Sequence, residues 1–214
     1  MDLLFKIILI LHILGGAIGL ITGSINISRP KGDKTHKQVG SVFMVAMLTA
    51  GFSSLVLSVL HPNFFLFVVG VFTIYLTATG RRSLYFKQTQ KTPQVIDWIL
   101  TITMLLASIV FIGLGVIKLL KGNTFSIALI VFGVLGIRFS RTDIINYRGK
   151  SKLKNHWLTG HLQRMIGSYI AALTAFLVVN GNYIPDIFPA FLVWILPTIV
   201  LLPFIIRWTR KFTA

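Results

Sequence analysis

The sequence predicts an all-α bundle of about seven transmembrane helices, polytopic, with its N-terminus outside and its C-terminus in the cytoplasm. Composition, the spacing of apolar runs and the placement of basic residues between them carry that expectation. Of 214 residues, 55% are apolar and only 12% are charged, about half the charged share of a soluble domain. Mean hydropathy is +0.82. A soluble fold of this size would leave large apolar patches exposed.

A helix needs about 20 apolar residues to cross the hydrocarbon core. Runs that approach or meet this length lie at 3–24, 39–60, 64–80, 95–117, 124–140, 158–180 and 187–206. The third and fifth are short and end in charged residues. The first is too long, and has the wrong flanking charges, for a cleaved signal peptide. The connections around His61-Pro62-Asn63, Lys121-Gly122-Asn123 and Gly181 to Asp186 are short, so neighbouring helices are expected to be antiparallel and adjacent. No segment suits a soluble domain, and residues 1–214 read as one integral membrane domain.

The basic residues set the orientation. Lys and Arg cluster in four segments: Arg29 to Lys37, Arg81 to Lys91, Arg138 to Lys154, and Arg207 to Lys211. These hold 17 of the 21 Lys and Arg. Lys6, Lys118 and Lys121 fall at the other end, and Arg164 lies inside the sixth run. Retained Lys and Arg mark the cytoplasmic side. The chain has five acidic residues, all Asp, and a formal net charge of +16. In a soluble chain such a charge would suggest nucleic acid, but here it fits topology and contact with anionic lipids at the cytoplasmic face. The expected partner is the lipid bilayer, not nucleic acid, and a homo-oligomer or a second membrane protein stays open. The expected location is a bacterial cytoplasmic (inner) membrane. With no Cys, disulfides, thiolate metal sites and cysteine nucleophiles are excluded.

Along the chain, Gly15, Gly19 and Gly23 recur every four residues in the first run, a spacing that lets a second helix backbone approach closely. His12 lies on that face and is expected to point into the bundle. Gly70, Gly113, Gly133, Gly136 and Gly167 are further packing candidates. In the second run His36, Gly40, Phe43 and Met47 form one stripe, and in the sixth His161, Met165, Ser168 and Ala172 form another. Were those stripes to meet, two imidazoles would converge near the cytoplasmic boundary. Imidazole is the commonest zinc ligand and an axial ligand of b-type haem. His36 and His61 are 25 residues apart, about 37 Å on a helix, and cannot share a site. His61 and His156 read as hydrated helix-end residues. Asp97 suits the start of the fourth helix. Trp98, Trp157, Trp194 and Trp208 suit interfacial anchoring, with Trp194 deeper. Asp143 is expected to offset nearby Arg charge, with Arg164 two turns into the sixth helix. Pro197 and Pro203 are expected to kink the seventh.

His12-Ile13 with Gly16 and Gly19, then His36-Lys37-Gln38-Val39-Gly40, then His161 with Met165, Ser168 and Tyr169, resembles a family of uncharacterised bacterial polytopic membrane proteins. That family carries a first-helix His, a His-Arg/Lys-x-x-Gly motif at helix 2 and a late His-x-x-x-Met-x-x-Ser-Tyr motif. The resemblance covers helices 1, 2 and 6 and singles out His12, His36 and His161 without naming a reaction. A looser similarity is to membrane b-type cytochromes, which ligate haem with His on facing helices. Only His61 is available on the outer side, so a single haem is implied. Seven-helix membrane zinc hydrolases use His-x-x-x-His late in the chain, whereas His156 and His161 are five apart and face different ways.

The leading expectation is therefore a cofactor site near the cytoplasmic face for haem b or a transition metal such as zinc. His36 and His161 would be the ligands, with His12 as a third and Asp143 or His156 as alternatives for a metal. Two other classes remain: a small-solute or proton-coupled transporter with a path through His12, Asp143 and Arg164, and a scaffold or assembly subunit whose His residues are structural.

Overall fold

A computed structural model describes residues 3–87, 92–123, 126–153, 155–183 and 190–213. Seven α-helices account for nearly all of them: α1 Leu3–Ser28, α2 Lys34–Leu60, α3 Phe64–Ser83, α4 Val95–Leu120, α5 Ile127–Tyr147, α6 His156–Val179 and α7 Ala190–Thr213. Short 3-10 turns lie at Leu84–Lys87 and Gly181–Tyr183. Lys91, Lys154, Asp186 and the expected starts of the fifth and seventh helices at 124 and 187 lie outside the described residues. The protein is a polytopic membrane bundle. Six helices are long and apolar enough to cross a bilayer. The expected seven crossings are met by six on length and composition, because α5 carries Arg138, Arg141 and Asp143 in its second half.

Several helices run past their apolar segments. Helix α2 starts five residues before the expected 39, at Lys34, because Asp33 caps it by accepting the His36 backbone N–H at 2.6 Å. Asn63 does the same for α3, accepting from Leu66 N–H at 3.0 Å. Helix α5 continues past 140 to Tyr147, and its buried Asp143 pairs with Arg164 of α6. Helix α7 is continuous through Pro197 and Pro203.

Small residues determine how the helices cross. The only buried residues of α1 are Gly15, Gly19 and Gly23. A methyl group at Gly15 would meet the Ala46 carbonyl at 2.9 Å, one at Gly19 would meet Met47 Sδ at 2.6 Å, and one at Gly23 would meet the Tyr169 ring. The rest of α1 is mostly exposed apolar surface, as a lipid-facing helix requires. Gly51 and Gly70 allow α2 and α3 to approach, while Gly133 and Gly136 seat α5 on Ser108 and Ile112 of α4. Gly113 is open on all sides and serves no crossing. Helix α3 is central, packing against α2, α4, α5 and α6. Hydroxyl pairs join buried faces: Thr77 with Ser168 at 2.7 Å, and Ser24 with Tyr169 at 2.7 Å.

One end of the bundle gathers the C-termini of α1, α3, α5 and α7 with the N-termini of α2, α4 and α6. Contacts across it include Asn155 donating to the Phe212 carbonyl at 3.1 Å and a two-pronged Arg82–Asp97 ion pair with both bonds at 2.7 Å. Trp98, Trp157 and Trp208 lie at this end, whereas Trp194 packs on Phe65 near the start of α3, at the other.

Candidate functional site

Two polar features occupy the basic half of the bundle. The first is a cavity of about 590 Å³ bounded by α1, α2, α6, α7 and the end of α3. Its volume falls in the range usual for small-molecule and cofactor sites. His36 and His161 both line it, so the two stripes read from the sequence do meet. Gly40, Phe43 and Met165, from the same stripes, line it too.

His161 is held in place from behind. Its Nδ1 donates to the Gly80 carbonyl on α3 at 2.9 Å. In a neutral imidazole with Nδ1 protonated, Nε2 keeps the lone pair. A backbone carbonyl bonded to the second ring nitrogen is the usual way a ligating His is oriented. Gly80 can come this close because it has no side chain: a methyl there would meet Met165 Sδ at 2.9 Å and Arg164 Cβ at 3.1 Å. On the opposite wall the buried His36 Nδ1 and Asn26 Oδ1 have no protein partner among the described residues. Both residues line the cavity.

The floor is apolar, formed by Phe43, Leu162, Ile166 and Tyr169. The rim is basic and aromatic. Lys31, Lys37, Arg81 and Lys87 line it, with no acidic residue in the lining among the described residues. Lys31 Nζ lies 4.2 Å from the centre of the Trp208 ring and donates to the carbonyls of Asn26, Ile27 and Arg29 at 2.6–2.8 Å, closing the end of α1. Burial pushes its ammonium below the ordinary lysine range. Lys87 Nζ stands 5.6 Å from the Trp157 ring.

The second feature is a buried ion pair on the far side of α6. Arg164, 1% exposed, pairs with Asp143, 4% exposed. Tyr75 donates to Asp143 Oδ2 at 2.6 Å, and Thr101 Oγ1 lies 3.4 Å from the same oxygen and 3.3 Å from the Tyr147 hydroxyl. Arg164 Nε is without a partner among the described residues. Four helices thus tie into one carboxylate. The arrangement matches the charge-offsetting role expected for Asp143.

The other histidines lie elsewhere. His12 Nδ1 donates to the Ala50 carbonyl at 3.0 Å and lies 3.3 Å from Ser53 Oγ, which places it between α1 and α2. Ala50 is about 21 Å along α2 from His36 at 1.5 Å per residue, so His12 is not brought to the cavity and cannot complete its ligand set. Its hydrogen bonds among the described residues go to Ala50 and Ser53, not to Asp143 or Arg164. His156 opens α6 without lining the cavity, and His61 ends α2 at the far end, with Phe5 edge-on at 4.2 Å. Among the described residues no group of three or more His, Cys, Asp or Glu side chains could hold a metal ion.

The sequence reading missed Asn26 and the rim cations as cavity residues. Asn26 had a signal, since it continues the Gly15-Gly19-Gly23 face by three. The rim cations had none, because facing a cavity and facing headgroups leave the same mark in sequence.

Compared with protein-family models, with curated proteins and with solved structures, the chain matches none.

Proposed function

We propose that this protein is a component of the bacterial cytoplasmic membrane that holds a single haem b between His36 and His161, with the basic end of the bundle facing the cytoplasm. One observation carries the reading: His residues from α2 and α6 line one cavity, and His161 is oriented by a backbone carbonyl through its second nitrogen. Orientation follows from the distribution of Lys and Arg. It puts the cavity at the cytoplasmic side and leaves α5 as the seventh crossing, its buried Asp143 paired with Arg164.

The donor set favours haem over zinc. A zinc site needs at least three protein ligands, and only two imidazoles meet here. Haem b can be held by one or two axial His, so two imidazoles suffice, and Phe43, Leu162 and Ile166 give part of an apolar enclosure. When bound, haem supplies one-electron transfer. The protein's own contributions are two imidazoles, one fixed by Gly80, and an apolar part of the lining. His36, Gly40, Met165 and Tyr169 line the cavity, and Ser168 fastens α6 to α3 through Thr77.

The test is an absorption spectrum of the detergent-purified protein after haem supplementation, together with metal analysis. A Soret band that co-purifies with the protein and weakens in His36→Ala or His161→Ala supports the proposal. Absence of bound haem in the wild-type protein overturns it, and bound zinc in its place would support a metal site instead.

A further inference from the structure

We infer that the basic rim of the cavity is a recognition site for the anionic end of an amphiphile, in which Lys37, Arg81 and Lys87 bind carboxylate or phosphate oxygens while the apolar floor takes the ligand's body. This rests on the reading of the cavity as a ligand site, though not on the ligand being haem.

Charge complementarity is the first ground. Among the described residues four cations line the rim and no acid does. The nearest acid in sequence, Asp33, spends one oxygen on the His36 backbone N–H and faces Arg29 at 4.0 Å, so it does not neutralise them. Lys31 differs from the other three, because its three hydrogens already go to carbonyls of α1. Lys37, Arg81 and Lys87 are exposed and make no ion pair among the described residues, so their donors are available. By contrast, Arg82, next to Arg81, is fully engaged by Asp97 and Gln94. Adjacent arginines at the end of α3 therefore have different tasks, one holding α4 and one facing the cavity.

The floor is the second ground. Below the cations the lining changes to Phe43, Leu162, Ile166 and Tyr169, so one cavity presents charge at its mouth and hydrocarbon beneath. Trp157 and Trp208 stand at the boundary, where amphipathic rings are favoured. A neutral apolar molecule would leave the cations uncompensated, and a small free anion would leave the floor unfilled. An amphiphile with an acidic end satisfies both. Haem propionates and a fatty-acid carboxylate share this chemistry.

The experiment compares acids with their neutral esters on the full chain in neutral phosphatidylcholine nanodiscs. The probes are haem b against its dimethyl ester and dibromostearate against its methyl ester, read by quenching of Trp157 and Trp208. The wild-type chain is expected to bind each acid at least about tenfold more tightly than its ester, the effect of losing one charge-assisted hydrogen bond. The triply substituted Lys37→Gln/Arg81→Gln/Lys87→Gln chain, altered only at exposed positions, is expected to bind acid and ester alike. Equal binding of acid and ester by the wild type overturns the inference, as does a preference that survives all three substitutions or an absence of binding by every probe. If dibromostearate shows the preference and haem does not bind, the haem reading fails and the rim assignment stands.

Discussion

Arg164 of α6 and Asp143 of α5 form an ion pair inside the bundle, with side chains 2% and 6% exposed. Asp143 is held further by Tyr75 and Thr101, so α3, α4, α5 and α6 meet at one charge. Removing one member leaves the other buried and uncompensated. Asp143→Ala is expected to destabilise the detergent-solubilised protein by about 3–5 kcal/mol. Asp143→Leu combined with Arg164→Met should recover much of that loss, since a well-packed apolar pair avoids the uncompensated charge. Denaturation midpoints of the three proteins decide it; equal stability of Asp143→Ala and wild type would contradict the structural role.

The α1 glycines allow a graded test. Gly15→Ala places a methyl against the Ala46 carbonyl at 2.9 Å, a backbone atom that cannot move aside cheaply, whereas Gly16→Ala meets nothing within 4 Å. The first is expected to cost about 1–3 kcal/mol by overpacking. The second should be neutral, or stabilising by a few tenths to about 1 kcal/mol through helix propensity. A reversed order in thermal unfolding would place the α1–α2 contact elsewhere.

His12 separates a structural histidine from a ligand. Its Nδ1 bond to Ala50 and its contact with Ser53 join α1 to α2 far from the cavity. His12→Ala is expected to lower stability by about 1 kcal/mol, the usual net value of one hydrogen bond, and to leave haem binding unchanged. A changed haem spectrum in this variant would return His12 to the ligand set.

How much of this was legible in the sequence depended on whether the signal was local. Seven helices followed from apolar runs, and the face of α1 followed from glycines four apart, because both are set by backbone geometry. The convergence of His36 and His161 was also readable as two stripes. Helix ends were read short. The first turn of α2, Lys34 to Gln38, is polar, and only the Asp33 cap signals that it is helical. The last two turns of α5 were lost for a related reason, since Asp143 looks like a loop residue until Arg164 and Tyr75 are brought beside it. His12 was assigned by helix face alone. Face gives direction but not depth along the partner helix, and depth is what removes it from the site.

The central claim is that His36 and His161 are a ligand pair. The most direct measurement is the reduced-minus-oxidised difference spectrum of haem-supplemented wild type, His36→Ala, His161→Ala and the double substitution, each normalised to folded protein. The account predicts a six-coordinate b-type signal in wild type, an altered five-coordinate signal in each single variant, and none in the double variant. A wild-type signal retained unchanged by the double variant, or no signal in wild type, would contradict it.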